Sequence, residues 1–181
     1  MWQQVLSDLL ALDYSLSWWH GTQSRTQILV HLTKDNWISL GGKPITDIRK
    51  RIQKRFDADR FTFHVGTDSK SYSDYTVITT TICFRENGKG ALVAYQRNKI
   101  KNFNNITERL LHETIVSLEA ARMVQGITGN PPTIHADVNS KDTALSYKML
   151  NVIMGMVQGM GYPIKVKPDA WAADIADMFT R

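Results

Sequence analysis

The order of predicted secondary-structure elements is the feature that most restricts the fold of this 181-residue chain. Residues 60–67, 75–84 and 91–100 are rich in the β-branched and aromatic side chains that strands favour. Asn87 and Gly88, between the second and third runs, form a strong hairpin signal. Because the turns between the runs are short, we predict an antiparallel meander.

After this meander the pattern alternates between helix and strand. Helices are predicted over residues 105–125, over residues 141–159 and from residue 170 to the C-terminus, and strands over residues 133–138 and 163–167. Crossover helices make the strands that they join parallel. The order β-β-β-α-β-α-β-α therefore predicts an α/β fold in which helices flank a mixed five-stranded sheet.

The N-terminal part of the chain has a weaker pattern. We predict that residues 1–42, which are rich in aromatic side chains, form an N-terminal extension packed on a main domain of residues 43–181. Apolar spacing indicates a short helix early in this extension, and residues 27–32 indicate a strand. Pro44 predicts the start of the next helix, because proline is favoured in the first helical turn.

Charge and composition restrict the class of protein. The formal net charge is +5, and the basic stretch of residues 43–60 supplies +4 of it. Such a stretch either attracts nucleic acid through phosphate contacts or forms a solvated helix face. The single cysteine, Cys83, lies in an apolar run, which predicts a buried free thiol and a reducing compartment. With neither a membrane-spanning run nor a signal-peptide pattern, the sequence predicts a cytoplasmic protein that is not in a membrane.

Four carboxylates lie at the edges of different predicted elements. Asp68 and Asp137 each close a strand, Asp169 follows the last strand, and Glu113 lies on the first long helix. The carboxyl ends of parallel strands meet at one edge of the sheet, where open α/β folds bind their ligands. Convergent carboxylates repel each other unless a cation lies between them, and hard oxygen ligands favour Mg²⁺ or Mn²⁺. The sequence therefore predicts a divalent-metal site at this edge.

Structural roles are the alternative for the strand acids. Asp68 could bond its own backbone in a turn, while Gly66 beside it would let another backbone approach closely. Asp137 and Asp169 could instead cap the helices that follow them. His135 shares a strand face with Asp137, and a packed or hydrogen-bonded ring is the favoured interpretation for it.

The helical acids leave further alternatives. Glu113 borders one edge of the apolar arc of its helix, whereas Glu108 and Glu119 lie beyond the opposite edge. A solvated glutamate at the boundary of the buried face is an equally good interpretation of Glu113. Near the C-terminus, Asp174 and Asp177 remain alternatives to Asp169 as the fourth acid.

Several short motifs occur in the order of a known family. They are Gly66-Thr67-Asp68-Ser69, Glu113-Thr114, the strand-closing Asp137, Gly159-Met160-Gly161 and Lys165-Val166-Lys167-Pro168-Asp169-Ala170. With these motifs the chain resembles the YkuK family of predicted ribonuclease H-like nucleases, from about residue 44 to residue 181.

This resemblance implies a ribonuclease H-like fold and a two-metal nuclease that hydrolyses phosphodiester bonds of RNA, an RNA–DNA hybrid or structured DNA. The catalytic and metal-binding residues, for two Mg²⁺ or Mn²⁺ ions, would be Asp68, Glu113, Asp137 and Asp169. Candidate substrate contacts are Lys70, Lys165, Lys167, Arg49 and Lys50. The alternative is a catalytically silent nucleic-acid-binding or assembly module with the same fold.

Overall fold

The computed structural model describes residues 32–33, 35–56, 60–139 and 145–181. The short helix predicted in the N-terminal extension, and all but the last residue of the strand predicted at 27–32, lie outside the described residues. The beginning of the helix predicted over residues 141–159 lies outside them as well.

Among the described residues, seven strands form one mixed sheet. They are β1 (Trp37–Ser39), β2 (Pro44–Ile45), β3 (Phe61–Ser71), β4 (Thr76–Glu86), β5 (Gly90–Ile100), β6 (Thr133–Asn139) and β7 (Ile164–Lys167). Their order is β2-β1-β5-β4-β3-β6-β7. Strands β3, β4 and β5 are antiparallel, whereas β6 is parallel to both β3 and β7. The predicted α/β fold is confirmed, and β1 and β2 widen the predicted five-stranded sheet at one edge.

Helices lie on both faces of this sheet. They are α1 (Ile48–Arg55), α2 (Ile106–Thr128), α3 (Leu150–Gly159), which follows a 3₁₀ turn (Leu145–Met149), and α4 (Trp171–Met178). Helix α2 begins where the Asn105 side chain accepts a hydrogen bond from the Glu108 N–H, and it ends at Gly129, whose φ is +73°. No described helix has the length and apolar character needed to cross a bilayer.

The predicted helix start at Pro44 is wrong. Pro44 and Ile45 form β2 and pair with β1, and α1 begins only at Ile48. Asp47 sets this start, because its side chain accepts a hydrogen bond from the Lys50 N–H. The Asp47 side-chain cap therefore sets the start of α1, and the general preference of proline for a first helical turn does not apply to Pro44.

The main core lies between the sheet and the helices α1 and α2. Ile48 and Ile52 of α1 pack there with Val124 of α2 and with Phe84 of the sheet. Trp37 of β1 is fully buried in the same cluster, although it lies within the residues predicted as an N-terminal extension. The division of the chain at residue 42 stays a prediction.

Helix α4 covers the other face and approaches β3 unusually closely. A Cβ atom on Gly66 would lie 2.4 Å from the carbonyl carbon of Ala172 and from the nitrogen of Ala173. The Thr81 hydroxyl donates to the Ala172 carbonyl oxygen at 2.9 Å. The predicted close approach at Gly66 is thus confirmed, and the partner is the backbone of α4.

Candidate active site

Asp68 lies within β3 and not in a turn after it. The strand continues to Ser71, and Asp68 pairs with Thr79 of β4. Neighbouring residues of β3 face opposite sides of the sheet. Ser69 contacts Glu113 of α2, whereas the Asp68 carboxylate lies 3.5 Å from the Thr180 hydroxyl that follows α4. The turn interpretation of Asp68 is therefore wrong, and its side chain is 7% exposed.

Glu113 is the helical glutamate that faces the sheet. It is 5% exposed, and its Oε1 accepts a hydrogen bond from the Ser69 hydroxyl at 2.5 Å. The Arg109 Nε lies 3.7 Å from the same oxygen. Glu108 has a different role, because its carboxylate accepts a hydrogen bond from the Asn104 N–H just before α2. The solvated interpretation of Glu113 is wrong.

Asp137 is positioned by an irregularity near the end of β6. The register between β6 and β7 shifts between Ala136 and Asn139, and such bulges re-aim side chains next to active sites. Asp137, Glu113 and Thr67 line the same small pocket. The structure therefore places the acids of α2 and β6 at one pocket, and Asp68 of β3 lies near enough for the charge of Asp137 to raise its pKa.

The pKa values of the two buried acids, Asp68 and Glu113, are both raised, and Asp137 contributes to both shifts. The pKa of Asp68 is raised to about 6, chiefly by burial and then by the charges of Asp137 and Asp177, against the opposing effects of Arg109 and of a hydrogen bond from the Ser69 backbone. Burial also raises the pKa of Glu113 to about 8, with smaller contributions from Asp68 and Asp137 against the opposing effects of Ser69 and Arg109. The ionised forms of both acids are thus disfavoured where they stand.

Lys167 is already paired with one of these acids. Its Nζ lies 2.5 Å from Asp137 Oδ1, and the lysine and aspartate side chains are 39% and 26% exposed. Burial lowers the pKa of Lys167, but the hydrogen bond to Asp137 and the charges of Asp137, Asp174 and Asp68 leave it raised. The ammonium group of Lys167 therefore neutralises part of the charge of the acid cluster, by which we mean Asp68, Glu113 and Asp137.

The predicted fourth acid, Asp169, and its alternative Asp177 lie in different surroundings. Asp169 is exposed in the turn before α4, and its N–H donates to the Val166 carbonyl oxygen. Asp177 acts on the pKa of Asp68, and the Thr180 hydroxyl donates to the Asp177 carbonyl oxygen at 2.7 Å. Of the two alternatives that the sequence left open, Asp177 is the one whose charge acts on Asp68, whereas the charge of Asp174 acts on Lys167.

The donor chemistry of this group suits a hard divalent cation. Within the described ranges, no three carboxylate, imidazole or thiolate groups lie close enough together to hold a metal ion in the arrangement seen. Carboxylate oxygens are nevertheless the ligands that Mg²⁺ and Mn²⁺ prefer, and Asp68 and Glu113 have raised pKa values that a nearby cation would lower. The residues present therefore fit such an ion in the type of their ligand atoms.

The predicted substrate contacts lie in three different places. Lys70 is exposed on β3, close to the acids. Lys165 is exposed on β7, and its charge lowers the pKa values of His64 and His135. Lys167 forms the ion pair with Asp137 that is described above.

Arg49 and Lys50 are far from the acids. Both are exposed on α1, whose buried side chains pack with Phe61 at the beginning of β3. A strand rises roughly 3.3 Å per residue, so Phe61 lies about 23 Å from Asp68 along β3. The structure does not bring these two basic residues to the acid cluster.

A buried histidine pair lies beneath α4. His64 Nδ1 and His135 Nε2 are 3.0 Å apart, and the Trp171 ring centroid is 4.8 Å from each imidazole centroid. Burial lowers the pKa values of both histidines to about 4. The prediction of His135 as a packed, hydrogen-bonded ring is confirmed.

Some contacts of the site were missing from the sequence prediction. Ser69, which fixes Glu113, and Thr180, which contacts Asp68, were not identified. The signal for Ser69 was its two-residue spacing from Thr67, which places both side chains on one strand face once β3 is extended. No local signal identifies Thr180, because its position depends on how α4 docks.

Comparison with known proteins gives the class of this protein. Residues 44–181 match the family described as ribonuclease H-like, which is most of the chain. The chain therefore belongs to the ribonuclease H-like family, in agreement with its antiparallel meander and parallel crossovers. Proteins of this fold generally bind nucleic acid and use divalent metals.

A more specific relative comes from Bacillus subtilis (strain 168). It is described as "Uncharacterized protein YkuK" and is 26% identical over 156 residues, which is 75% of this chain and 90% of that protein. The predicted place in the YkuK group of ribonuclease H-like proteins is thus confirmed.

Proposed function

We propose that this protein is a metal-dependent nuclease that hydrolyses phosphodiester bonds of RNA, an RNA–DNA hybrid or structured DNA. The observation that carries the proposal is the group of three carboxylates from β3, α2 and β6 at one end of the central strands. Two of them, Asp68 and Glu113, are buried with raised pKa values. A cluster of this kind destabilises the fold unless a cation offsets it, which supports a functional role.

Asp68, Glu113, Asp137 and Asp177 would hold two Mg²⁺ or Mn²⁺ ions. Such ions lower the pKa of a water nucleophile and stabilise the leaving oxygen. Asp169 was the predicted fourth ligand, and we propose Asp177 in its place because Asp177 acts on Asp68.

The other side chains of the site orient the ligands. The Ser69 hydroxyl fixes one oxygen of Glu113, and Arg109 partly neutralises the same carboxylate. The Thr180 hydroxyl, held by the Asp177 carbonyl oxygen, lies against Asp68. Lys167 occupies one oxygen of Asp137 and would have to leave that oxygen for a divalent cation to bind there.

The test is cleavage of labelled RNA, RNA–DNA hybrid and branched DNA in Mg²⁺ or Mn²⁺. We expect Asp68→Asn to lower the rate by at least about a hundredfold, because it removes a charged ligand from the reacting centre. The matched control is Asp35→Asn, an exposed aspartate outside the cluster, which retains the rate.

A second pair of variants identifies the fourth acid. Asp177→Asn should lower the cleavage rate and Asp169→Asn should not. The reverse result would return the role to Asp169. If no substrate is cleaved, and nucleic-acid binding is the same with and without divalent ions and in Asp68→Asn, the protein is a silent binding module.

A further inference from the structure

Two stacked tyrosines form the turn between β3 and β4, beside the acid cluster. Tyr72 and Tyr75 have ring centroids 5.0 Å apart and an interplanar angle of 22°. Both side chains are partly exposed, and Tyr72 is four residues beyond Asp68 in the chain. The acid cluster is therefore bordered by an accessible aromatic surface.

Lysine side chains accompany both rings. Lys70 Nζ lies 5.9 Å from the Tyr72 ring centroid, and Lys99 Nζ lies 4.4 Å from that of Tyr75. Both lysines are exposed and can move to other partners. Cations next to aromatic faces are the combination that binds single strands, because the lysines contact phosphates while the rings stack on bases.

The turn is held in one conformation by more contacts than a hairpin requires. Asn102 Nδ2 donates to the carbonyl oxygens of Tyr72 and Ser73, at 2.8 and 3.0 Å. The Thr76 hydroxyl in turn donates to Asn102 Oδ1 at 2.7 Å. A preset arrangement of this kind reduces the entropy that is lost when a ligand binds.

The tyrosines are also connected to the acid cluster. The Tyr72 hydroxyl donates to the Thr180 carbonyl oxygen at 3.0 Å, and the Thr180 hydroxyl lies 3.5 Å from Asp68 Oδ2. One residue therefore contacts both the aromatic turn and the central acid. A strand bound on the turn would be positioned with its neighbouring phosphate close to the carboxylates.

We propose that this turn is a base-stacking platform, which we call the tyrosine platform (Tyr72 and Tyr75), for a single-stranded segment of nucleic acid, with Lys70 and Lys99 binding the flanking phosphates. The proposal deepens and rests on the proposed nuclease function, since it names the substrate class of that site. Bases in a duplex are already stacked and paired, so protein rings select unpaired ones.

The experiment measures oligonucleotide binding without cleavage. The background is Asp68→Asn in EDTA, and the probes are fluorescent single strands of RNA and DNA, about eight nucleotides long, a duplex, and an abasic strand with the same phosphates. We expect Tyr75→Leu to weaken binding of the single strands about tenfold. Tyr75→Phe, which keeps the ring, should bind as the parent does.

Two further comparisons separate stacking from charge and from misfolding. The abasic strand should bind equally to the parent and to Tyr75→Leu, whereas a misfolded variant would lose it too. Lys99→Gln should reduce the dependence of log affinity on log salt by about one unit. The RNA and DNA strands show whether the sugar matters.

The tyrosine platform is overturned by equal affinities of the parent and Tyr75→Leu for the single strands, by preference for the duplex, or by an absence of binding. Because no step requires a metal or turnover, a protein that binds as expected but fails to cleave any substrate contradicts the nuclease proposal alone. If Tyr75→Leu weakens binding of the RNA strand and leaves binding of the DNA strand unchanged, the platform is restricted to RNA, and this result supports it.

Discussion

Two buried polar clusters involve the central strands β3 and β6, and they differ in how their groups are satisfied. In the first, the histidine cluster (His64, His135 and Trp171), the two imidazoles bond each other and pack against the indole. In the second, the acid cluster, the charge of Asp137 raises the pKa values of both Asp68 and Glu113. Burial disfavours the charged form in both clusters, and both have neutral partners, but only the acid cluster brings like charges together.

This difference separates a structural cluster from a candidate functional one. Neutral imidazoles at ordinary pH need no ion, so the histidine cluster contributes to the packing of α4 without a ligand. The carboxylates ionise at a cost that Arg109 and Lys167 offset only in part and that a bound cation would lower further. A buried polar cluster is therefore informative when its own residues leave a charge uncompensated.

Gly66→Ala should have the largest effect, because it acts on α4, the helix that covers the histidine cluster and is followed by Thr180 beside Asp68. The new Cβ would lie 2.4 Å from backbone atoms of Ala172 and Ala173, which cannot yield without moving α4. We expect the free energy of unfolding to fall by about 3 kcal/mol. Urea denaturation measures it.

The control for this variant is Gly126→Ala. Gly126 is exposed within α2, and a Cβ there meets nothing within 4 Å. The substitution should stabilise the protein by roughly 0.5–1 kcal/mol, since alanine is the better helix former. Similar stability changes for the two variants would show that α4 is not docked on Gly66.

The sequence was sufficient for the element order and for the general position of three acids. Strand and helix periods and short turns are local signals, and the crossover rule then brings Asp68 and Asp137 to neighbouring strand ends. The apolar arc of α2 placed Glu113 at its edge and left its role open, and the resemblance to the YkuK family favoured it as a site residue. The roles of these acids stay predictions.

What could not be predicted depends on tertiary contacts. Asp177 reaches the cluster because α4 docks directly on Gly66, and no local pattern states that distance. The pairing of Lys167 with Asp137 likewise depends on the β6–β7 register. The extension of β3 to Ser71 is supplied by its ladder with β4, since the sequence there is polar.

Glu113→Gln should remove a loss of stability that the parent shows as the pH rises. The pKa of Glu113 is raised to about 8 in the folded protein, so the folded state binds more protons than the unfolded state above the ordinary carboxyl range. Stability is therefore lost as pH rises from about 4.5 to 8. In EDTA, Glu113→Gln should gain about 2 kcal/mol relative to the parent between pH 5 and pH 8.

The same pair of proteins tests the need for a cation. Adding Mn²⁺ at pH 8 should stabilise the parent and leave Glu113→Gln nearly unchanged, because the ion binds the ionised cluster. A parent whose stability is the same at both pH values and with or without Mn²⁺ would contradict the account of an uncompensated acid cluster.

His64→Asn should show the opposite pH dependence and a smaller effect. The pKa of His64 is lowered from 6.5 to about 4, so the unfolded state binds more protons between these values. The parent is therefore stable above pH 6.5 and loses stability as pH falls toward 4. Asparagine keeps a polar group near Nδ1, and the variant should lose about 1 kcal/mol less than the parent between pH 6.5 and pH 5. Equal slopes in urea denaturation would show that His64 titrates normally.

Lys167→Gln should have the smallest effect, and it decides between two roles of this lysine. Lys167 either competes with a metal ion for Asp137 or binds substrate phosphate, as the sequence predicted. Since a partly exposed ion pair is worth about 0.2–1 kcal/mol, its removal should tighten Mn²⁺ binding about two- to fivefold in a calorimetric titration. Lys165→Gln removes an exposed positive charge from the same strand. It is the control for the long-range effect of that charge and should change Mn²⁺ affinity less. If Lys167→Gln leaves Mn²⁺ affinity unchanged and instead lowers the salt dependence of oligonucleotide binding, Lys167 is a phosphate contact, and the acid cluster must bind its ions without displacing it.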